Sequence, residues 1–153
     1  MESPETRIEA VVDALVAAAV DGDPAAREQA RNVADWASRI CRAVPGAPTP
    51  AFVRRCALLA GLSPDVIACV PEVAECSAVV RDFQRLAMTH PSHRSPTSTA
   101  SLILVVAEEL DALVFRSDRS LRMSPRAALA FMKQHADQRL RPLVDAACTS
   151  LSG

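Results

Sequence analysis

The sequence predicts an all-α protein, a single globular bundle of about seven helices. Apolar residues recur three and four positions apart, which places them on one face of a helix. No stretch shows the sustained alternation and β-branched enrichment of a strand. Half of the 153 residues are hydrophobic, yet there are only one Trp, four Phe and no Tyr. Such a chain is suited to packing helices closely through small side chains.

Five helix starts are marked by a capping residue followed directly by proline. The capping side chain accepts a hydrogen bond from a free backbone N–H, and proline has no N–H to leave unsatisfied in the first turn. The five pairs are Ser3-Pro4, Asp23-Pro24, Thr49-Pro50, Ser63-Pro64 and Ser124-Pro125. Breaker-rich segments at 21–23, 45–50, 60–64 and 90–99 separate the predicted helices.

Each predicted helix has an apolar face directed at the core. In chain order these faces contain Ile8, Val11, Val12, Leu15 and Ala19, then Ala30, Val33, Ala37, Ile40 and Val44, then Val73, Val80, Phe83 and Ala87, then Leu102, Val105, Val106 and Leu113, then Leu129 and Met132, and finally Leu140, Leu143, Val144, Ala147 and Leu151. The run LILVVA continues into EELDAL at helical spacing, so we predict a helix there rather than a short buried strand.

Length and charge exclude several classes of protein. We expect one domain over residues 1–153, with a flexible Ser/Thr/Pro-rich loop at about 90–99. With 17 basic and 18 acidic residues, the chain has no electrostatic signature of DNA binding. Its apolar runs are too short to span a membrane, and its acidic N-terminus does not resemble a signal peptide. Five cysteines without a CxxC pair suggest reduced thiols, so we expect a cytoplasmic protein.

The segment 105–129, VVAEELDALVFRSDRSLRMSPRAAL, carries a family signal. It resembles the C-terminal part of HD-GYP domains, the HD-superfamily phosphohydrolases that cleave cyclic di-GMP, where the typical form is "AD..DALTSDRPYR…SPEEAL". The matching positions are Asp111-Ala112-Leu113, Ser117-Asp118-Arg119, Arg122, Ser124-Pro125 and Ala128-Leu129. Two further segments resemble the family in the same order: 25–44 is similar to its "GHS.RVA" helix and 55–67 to "AALLHDIGKI".

The resemblance implies a metal site whose ligands are missing from this chain. Members of the family hold two or three metal ions through His and Asp, and the metals activate water for attack on a phosphodiester. Gln29 stands in place of the first histidine, Ala60-Gly61 in place of the His-Asp pair, and Glu108 in place of the aspartate before DAL. Alanine and glycine have no side-chain donor. We therefore expect no metal, no cofactor and no catalytic residue.

The sequence thus predicts a catalytically inactive HD-GYP-like regulatory or protein-interaction module in bacterial signalling. A protein partner is expected, and the Ala/Val-rich first helix suggests a homodimer. We expect no membrane or DNA partner.

Two alternatives stay open. One is a metal-dependent phosphohydrolase with a site rearranged around Glu108, Asp111, His90 and His93; the other is a sensor that binds a cyclic dinucleotide without cleaving it. Candidate residual metal ligands or anion contacts are His90, His93, Asp111 and Arg119. The favoured interpretation is a structural network that holds the last helices together: Glu108 and Asp111 share a helix face, Asp118, Arg119 or Arg122 can pair with them, and a partly buried Asp111 carboxylate and the Arg119 guanidinium would satisfy one another. Arginines at 54, 55, 81 and 85 are weaker candidates for an anion site.

Overall fold

Eight α-helices make up the part of the chain that this computed structural model describes, residues 1–88, 98–115 and 118–152. They are α1 (Pro4–Ala19), α2 (Pro24–Ala43), α3 (Pro50–Leu58), α4 (Pro64–Ala68), α5 (Ser77–Met88), α6 (Thr99–Val114), α7 (Pro125–His135) and α8 (Arg141–Ser152). Two 3₁₀ turns, Ala74–Cys76 and Arg119–Leu121, precede α5 and α7. The described residues contain no strand. The predicted all-α fold is confirmed, with the short α4 bringing the helices to eight.

The proline-marked helix starts are confirmed at all five places. At four of them the capping side chain accepts a backbone N–H; the acceptors are Ser3, Asp23, Thr49 and Ser124. Ser63 occupies the same position before α4 without such a bond. Gly22 and Gly46 have φ of 71° and 73°, in the left-handed region that favours glycine, and lie in the turns that follow α1 and α2.

Helix α6 is the centre of the bundle. It packs against α2, α5, α7 and α8, and its buried residues lie around most of its circumference: Ala100, Ser101, Ile103, Leu104, Val106, Ala107, Leu110, Asp111 and Leu113. The run LILVVA is therefore helical, as predicted. The hydroxyl of the buried Ser101 donates to the Val79 carbonyl at 3.1 Å, which satisfies one of the few polar groups inside.

Helix α2 is the second helix with many neighbours in the bundle, and it packs against α3, α6 and α8. Its core face includes Val33, Ala37 and Ile40, as its spacing predicts. None of the described helices is long and apolar enough to cross a membrane. Of the loop predicted at 90–99, Ser98 caps α6 and Thr99 begins it, whereas 90–97 lie outside the described residues.

Candidate functional site

The four positions that the resemblance assigns to a lost metal site line one pocket. Gln29 comes from α2, Ala60 and Gly61 from the turn after α3, and Glu108 from α6. The cavity has a volume of about 260 Å³. We call it the apolar pocket. These positions are separated by up to 79 residues of sequence (108 − 29), so their convergence is a property of the fold rather than of local spacing.

The turn that carries Ala60 and Gly61 is held by α5. Nε2 of Gln84 donates to the Ala60 carbonyl at 3.0 Å and to the Leu62 carbonyl at 2.7 Å, one residue on either side of Gly61. A Cβ added to Gly61 would have no heavy atom within 4 Å, so the position has room for a side chain. Position 61 therefore lacks a metal donor because the residue is glycine, not because a larger side chain would fail to fit.

The remaining lining of this pocket is apolar. It consists of Val16, Ala19, Val20, Ala26, Ala30, Val33, Ala57, Leu58, Leu62 and Phe83. Gln29 and Glu108 supply its polar side chains, and desolvation by the surrounding protein raises the pKa of the Glu108 carboxyl although the residue stays exposed at the rim. The described lining thus supplies one carboxylate and one amide, which do not fit a two-metal centre, since such a centre needs several charged or imidazole donors. No group of three or more His, Cys, Asp or Glu within the described ranges could hold a metal ion.

A second and larger cavity adjoins the apolar pocket and shares Gln29 with it. We call it the acidic cavity; its volume is about 960 Å³. It lies between α2, α6 and the segment that follows α6. Its lining residues are Ala25, Glu28, Gln29, Asn32, Asp111, Ala112, Phe115, Asp118, Leu121 and Arg122.

Asp111 is the buried polar group of the acidic cavity. Its residue is only 3% exposed, and its Oδ1 has no hydrogen-bond partner in the described part of the chain. Burial raises the pKa of this carboxyl to about 6, a hydrogen bond from the Trp36 side chain opposes the rise, and the charge of Glu108 adds to it. A buried carboxylate with an open acceptor is costly unless a donor reaches it.

The predicted ion pair between Asp111 and Arg119 is wrong. Arg119 lies exposed in the 3₁₀ turn, and no salt bridge joins it to Asp111. The reason is local: Asp118 caps that turn by accepting the backbone N–H and the hydroxyl of Ser120 at 2.9 and 2.7 Å. The same side-chain and backbone bonds lower the pKa of Asp118. Arg122, two residues beyond Ser120, lines the cavity instead.

Several residues of the acidic cavity were missed from the sequence. Glu28 and Asn32 are four positions apart on α2, a spacing that puts them on one face of the helix, with Gln29 to one side of the pair. That helical spacing was the available signal. His90 and His93, the other two candidate ligands, lie outside the described residues.

The arginines considered for an anion site are engaged elsewhere. Arg54 pairs with Asp35, and Arg55 bonds Glu5 at 3.0 Å. On α5, the Arg81 guanidinium lies 2.9 Å from Asp65, and that of Arg85 lies 2.8 Å from Asp82. Each cation has its own carboxylate, which disfavours a shared anion site.

Comparison of the chain with models of known protein families, with curated proteins and with solved structures finds no match.

Proposed function

We propose that this protein is a catalytically inactive HD-GYP-like module that acts in bacterial signalling by binding a protein partner. The observation that carries the proposal is the convergence of Gln29, Ala60, Gly61 and Glu108 on one pocket. The resemblance assigns these positions from sequence order alone. Their meeting in space supports the retention of an HD-type scaffold.

The chemistry of the pocket supports the loss of catalysis. Metal-assisted hydrolysis of a phosphodiester requires ions that polarise the phosphoryl group and activate a water. Ala60 and Gly61 cannot contribute a ligand by any change of rotamer, because neither side chain has a donor atom.

The charge of the apolar pocket supports the binding of a ligand other than a nucleotide, without hydrolysis. Its lining residues within the described ranges include no Arg, Lys or His, and the charged residue among them is Glu108. A phosphodiester placed there would have no counterion among these residues and would face a carboxylate. Apolar walls with two polar groups are instead typical of a site for uncharged or weakly polar groups.

The test is a metal analysis of protein purified without chelator, combined with an assay of cyclic di-GMP hydrolysis in added Mn²⁺. We expect substoichiometric Mn and Fe and no turnover above a no-protein control. Stoichiometric metal together with turnover would overturn the proposal and support the alternative of a rearranged phosphohydrolase site.

The proposal includes self-association through α1. Val12 and Val16 are buried against the bundle, whereas Ala10, Ala14 and Ala18 are exposed on the opposite side, where a second copy could approach closely. Light scattering at tens of micromolar protein is expected to give the mass of a dimer, about twice the 16.3 kDa of one chain. A strictly monomeric mass would remove this part of the proposal.

A further inference from the structure

The apolar pocket is a hydrophobic concavity to which five helices contribute. Its wall comes from α1, α2, the end of α3 with the turn that follows, α5 and α6. Small residues occupy six positions of this wall: Ala19, Ala26, Ala30, Ala57, Ala60 and Gly61. Helices usually close such a gap with larger side chains, since protein interiors are closely packed. Here the short side chains leave about 260 Å³ unfilled.

The pocket is open to solvent and its shape is already formed. Val20, Leu58 and Leu62 belong to its wall and are only half-buried, so a molecule arriving from solvent can contact them directly. A Cβ added to Gly61 meets no heavy atom within 4 Å, which shows independently that space is free at this point of the wall. The two hydrogen bonds from Gln84 hold the turn in place. Binding there requires no opening of the core.

The wall selects a small aliphatic body. Val20, Leu58 and Leu62 present branched aliphatic side chains, whose contact with a ligand would remove apolar surface from water. The one aromatic ring of the described wall, that of Phe83, is only 8% exposed and offers little face for stacking. A cavity of about 150 Å³ is enough to hold benzene, so the volume here has room for about six to eight non-hydrogen atoms.

The polar residues of the wall select an uncharged head group. Gln29 and Glu108 are exposed at the rim. A hydroxyl suits both of them, because it can donate to the Glu108 carboxylate and accept from the Gln29 amide. A carboxylate head would lose hydration against the apolar wall and would meet the charge of Glu108. An ammonium head would lose hydration as well, and pairing with an exposed carboxylate returns little of it.

We propose that the apolar pocket binds an uncharged aliphatic molecule of about six to eight non-hydrogen atoms, with a hydroxyl group at the rim beside Gln29 and Glu108. This ligand site goes beyond the proposed interaction with a protein partner. It depends on the geometry of the pocket and not on the family resemblance.

The test is a titration of the full chain with 1-hexanol, followed through the methyl ¹H–¹³C resonances of its Val and Leu residues. We expect saturable shifts at the pocket methyls of Val16, Val33, Leu58 and Leu62, and none at Val66 or Leu121, which lie outside the pocket. The expected dissociation constant is about 1 mM or lower, as for a good ligand of this size.

Matched variants and probes separate this site from unspecific partitioning. Ala30→Leu fills the pocket from α2 and is expected to weaken 1-hexanol binding at least about tenfold, whereas Ala51→Leu, the same change at an exposed position of α3 outside the pocket, should leave it unchanged. Should Ala30→Leu not fold, Gly61→Leu adds its side chain where space is free and is expected to have the same effect. Hexanoate at pH 8 should bind at least about tenfold more weakly than 1-hexanol.

The absence of a saturable shift up to about 10 mM 1-hexanol would overturn the inference. Full affinity in a folded Ala30→Leu or Gly61→Leu variant would do the same, as would shifts of equal size at Val66 and Leu121. Binding of hexanoate or hexylamine more tightly than 1-hexanol would contradict the uncharged head group. These outcomes leave the metal analysis unaffected, and stoichiometric metal with cyclic di-GMP turnover would remove the proposed function whatever the alcohol does.

Discussion

The Trp36 indole on α2 reaches the Asp111 carboxyl on α6 and opposes the rise in its pKa, whereas Oδ1 of Asp111 has no hydrogen-bond partner among the described residues. The guanidinium of Arg39 lies over the Trp36 ring, with its Cζ 5.3 Å from the ring centroid. The indole thus contacts the Arg39 guanidinium through its ring face and lies beside the Asp111 carboxyl. It links the surface of α2 to the buried acid of the acidic cavity.

The burial of Asp111 predicts that it destabilises the fold when it ionises. The pKa of this carboxyl is about 6 in the folded chain, above its ordinary value of 3.8, so the folded state binds the proton more tightly than the unfolded state. Its contribution to stability is therefore fully present below the unfolded value and is lost as pH rises through about 6. The loss is about 2 to 3 kcal/mol between pH 4 and pH 7.

The measurement is urea unfolding of the wild type and Asp111→Asn across that pH range. Asparagine does not titrate here and keeps an acceptor for Trp36. The wild type should lose stability relative to the variant as pH rises, and a difference that stays constant with pH would contradict the prediction. Glu109, another group with a raised pKa, is common to both proteins and cancels in the comparison, whereas Glu108, whose charge acts on Asp111, cancels only in part.

Restoring the missing donors should restore a metal site if the resemblance is correct. The triple variant Gln29→His, Ala60→His and Gly61→Asp places three donors beside Glu108 around the apolar pocket, and Gly61 has open space for its new side chain. We expect this variant to bind Mn²⁺ or Fe²⁺ with near-stoichiometric occupancy by metal analysis. The wild type should not.

A fourth substitution controls for adventitious binding by the new histidines. Adding Glu108→Gln removes the native carboxylate and should weaken metal binding by at least about tenfold. If the triple variant folds, as judged by helical circular dichroism, and still binds no metal, these positions do not form an HD-type ligand set.

Gln84 is predicted to stabilise the turn beside the apolar pocket. It is half-buried and donates to both the Ala60 and Leu62 carbonyls, so Gln84→Ala leaves two acceptors with poorer partners. We expect a loss of about 1 to 2 kcal/mol in the free energy of unfolding, measured in urea. Gln134→Ala, an exposed glutamine on α7, is the matched control and should stay within about 0.5 kcal/mol of the wild type. Equal effects of the two substitutions would contradict the assigned role.

Cysteine labelling is expected to begin at Cys69. All five thiols are free, Cys69 is exposed, and Cys41, Cys56 and Cys76 are buried. Burial raises the pKa of the Cys41 thiol, and its Sγ–H donates to the Pro48 carbonyl at 2.9 Å. Since the thiolate is the reacting form, these buried groups should react only when the chain opens.

Timed reaction with a chromogenic disulfide reagent, followed by mass spectrometry, measures this order. Cys69→Ser should remove the fastest phase and leave the slower phases intact. Fast labelling of Cys41, Cys56 or Cys76 in the native protein would show that the bundle opens far more readily than its packing implies.

The helices could be predicted from the sequence because their signals are local. A capping residue followed by proline marks the start of a helix within a segment of about four residues. The spacing of Val33, Ala37 and Ile40 identifies a core face without reference to any other segment. The LILVVA run was resolved in the same way, by its continuation into EELDAL.

The partners of Asp111 could not be predicted because they depend on contacts between distant segments. Sequence proximity suggested Arg119, but the cap that Asp118 makes with Ser120 turns the chain so that Arg119 is exposed. The actual neighbour, Trp36, is 75 residues earlier (111 − 36) and is brought in by the packing of α2 on α6. The resemblance predicts the four positions Gln29, Ala60, Gly61 and Glu108. It does not predict the apolar character of the pocket, because the apolar lining residues are not among these positions.

Helix α6 is enclosed by neighbouring helices around most of its circumference. Within this helix the exposed positions are Thr99, at its start, and Glu108, Glu109 and Ala112, near its end. Glu108 borders the apolar pocket and Ala112 borders the acidic cavity. A molecule bound in either place would therefore rest directly on the central helix. Any shift it imposed would reach α5, α7 and α8 through side chains already in contact, with no hinge or lid required.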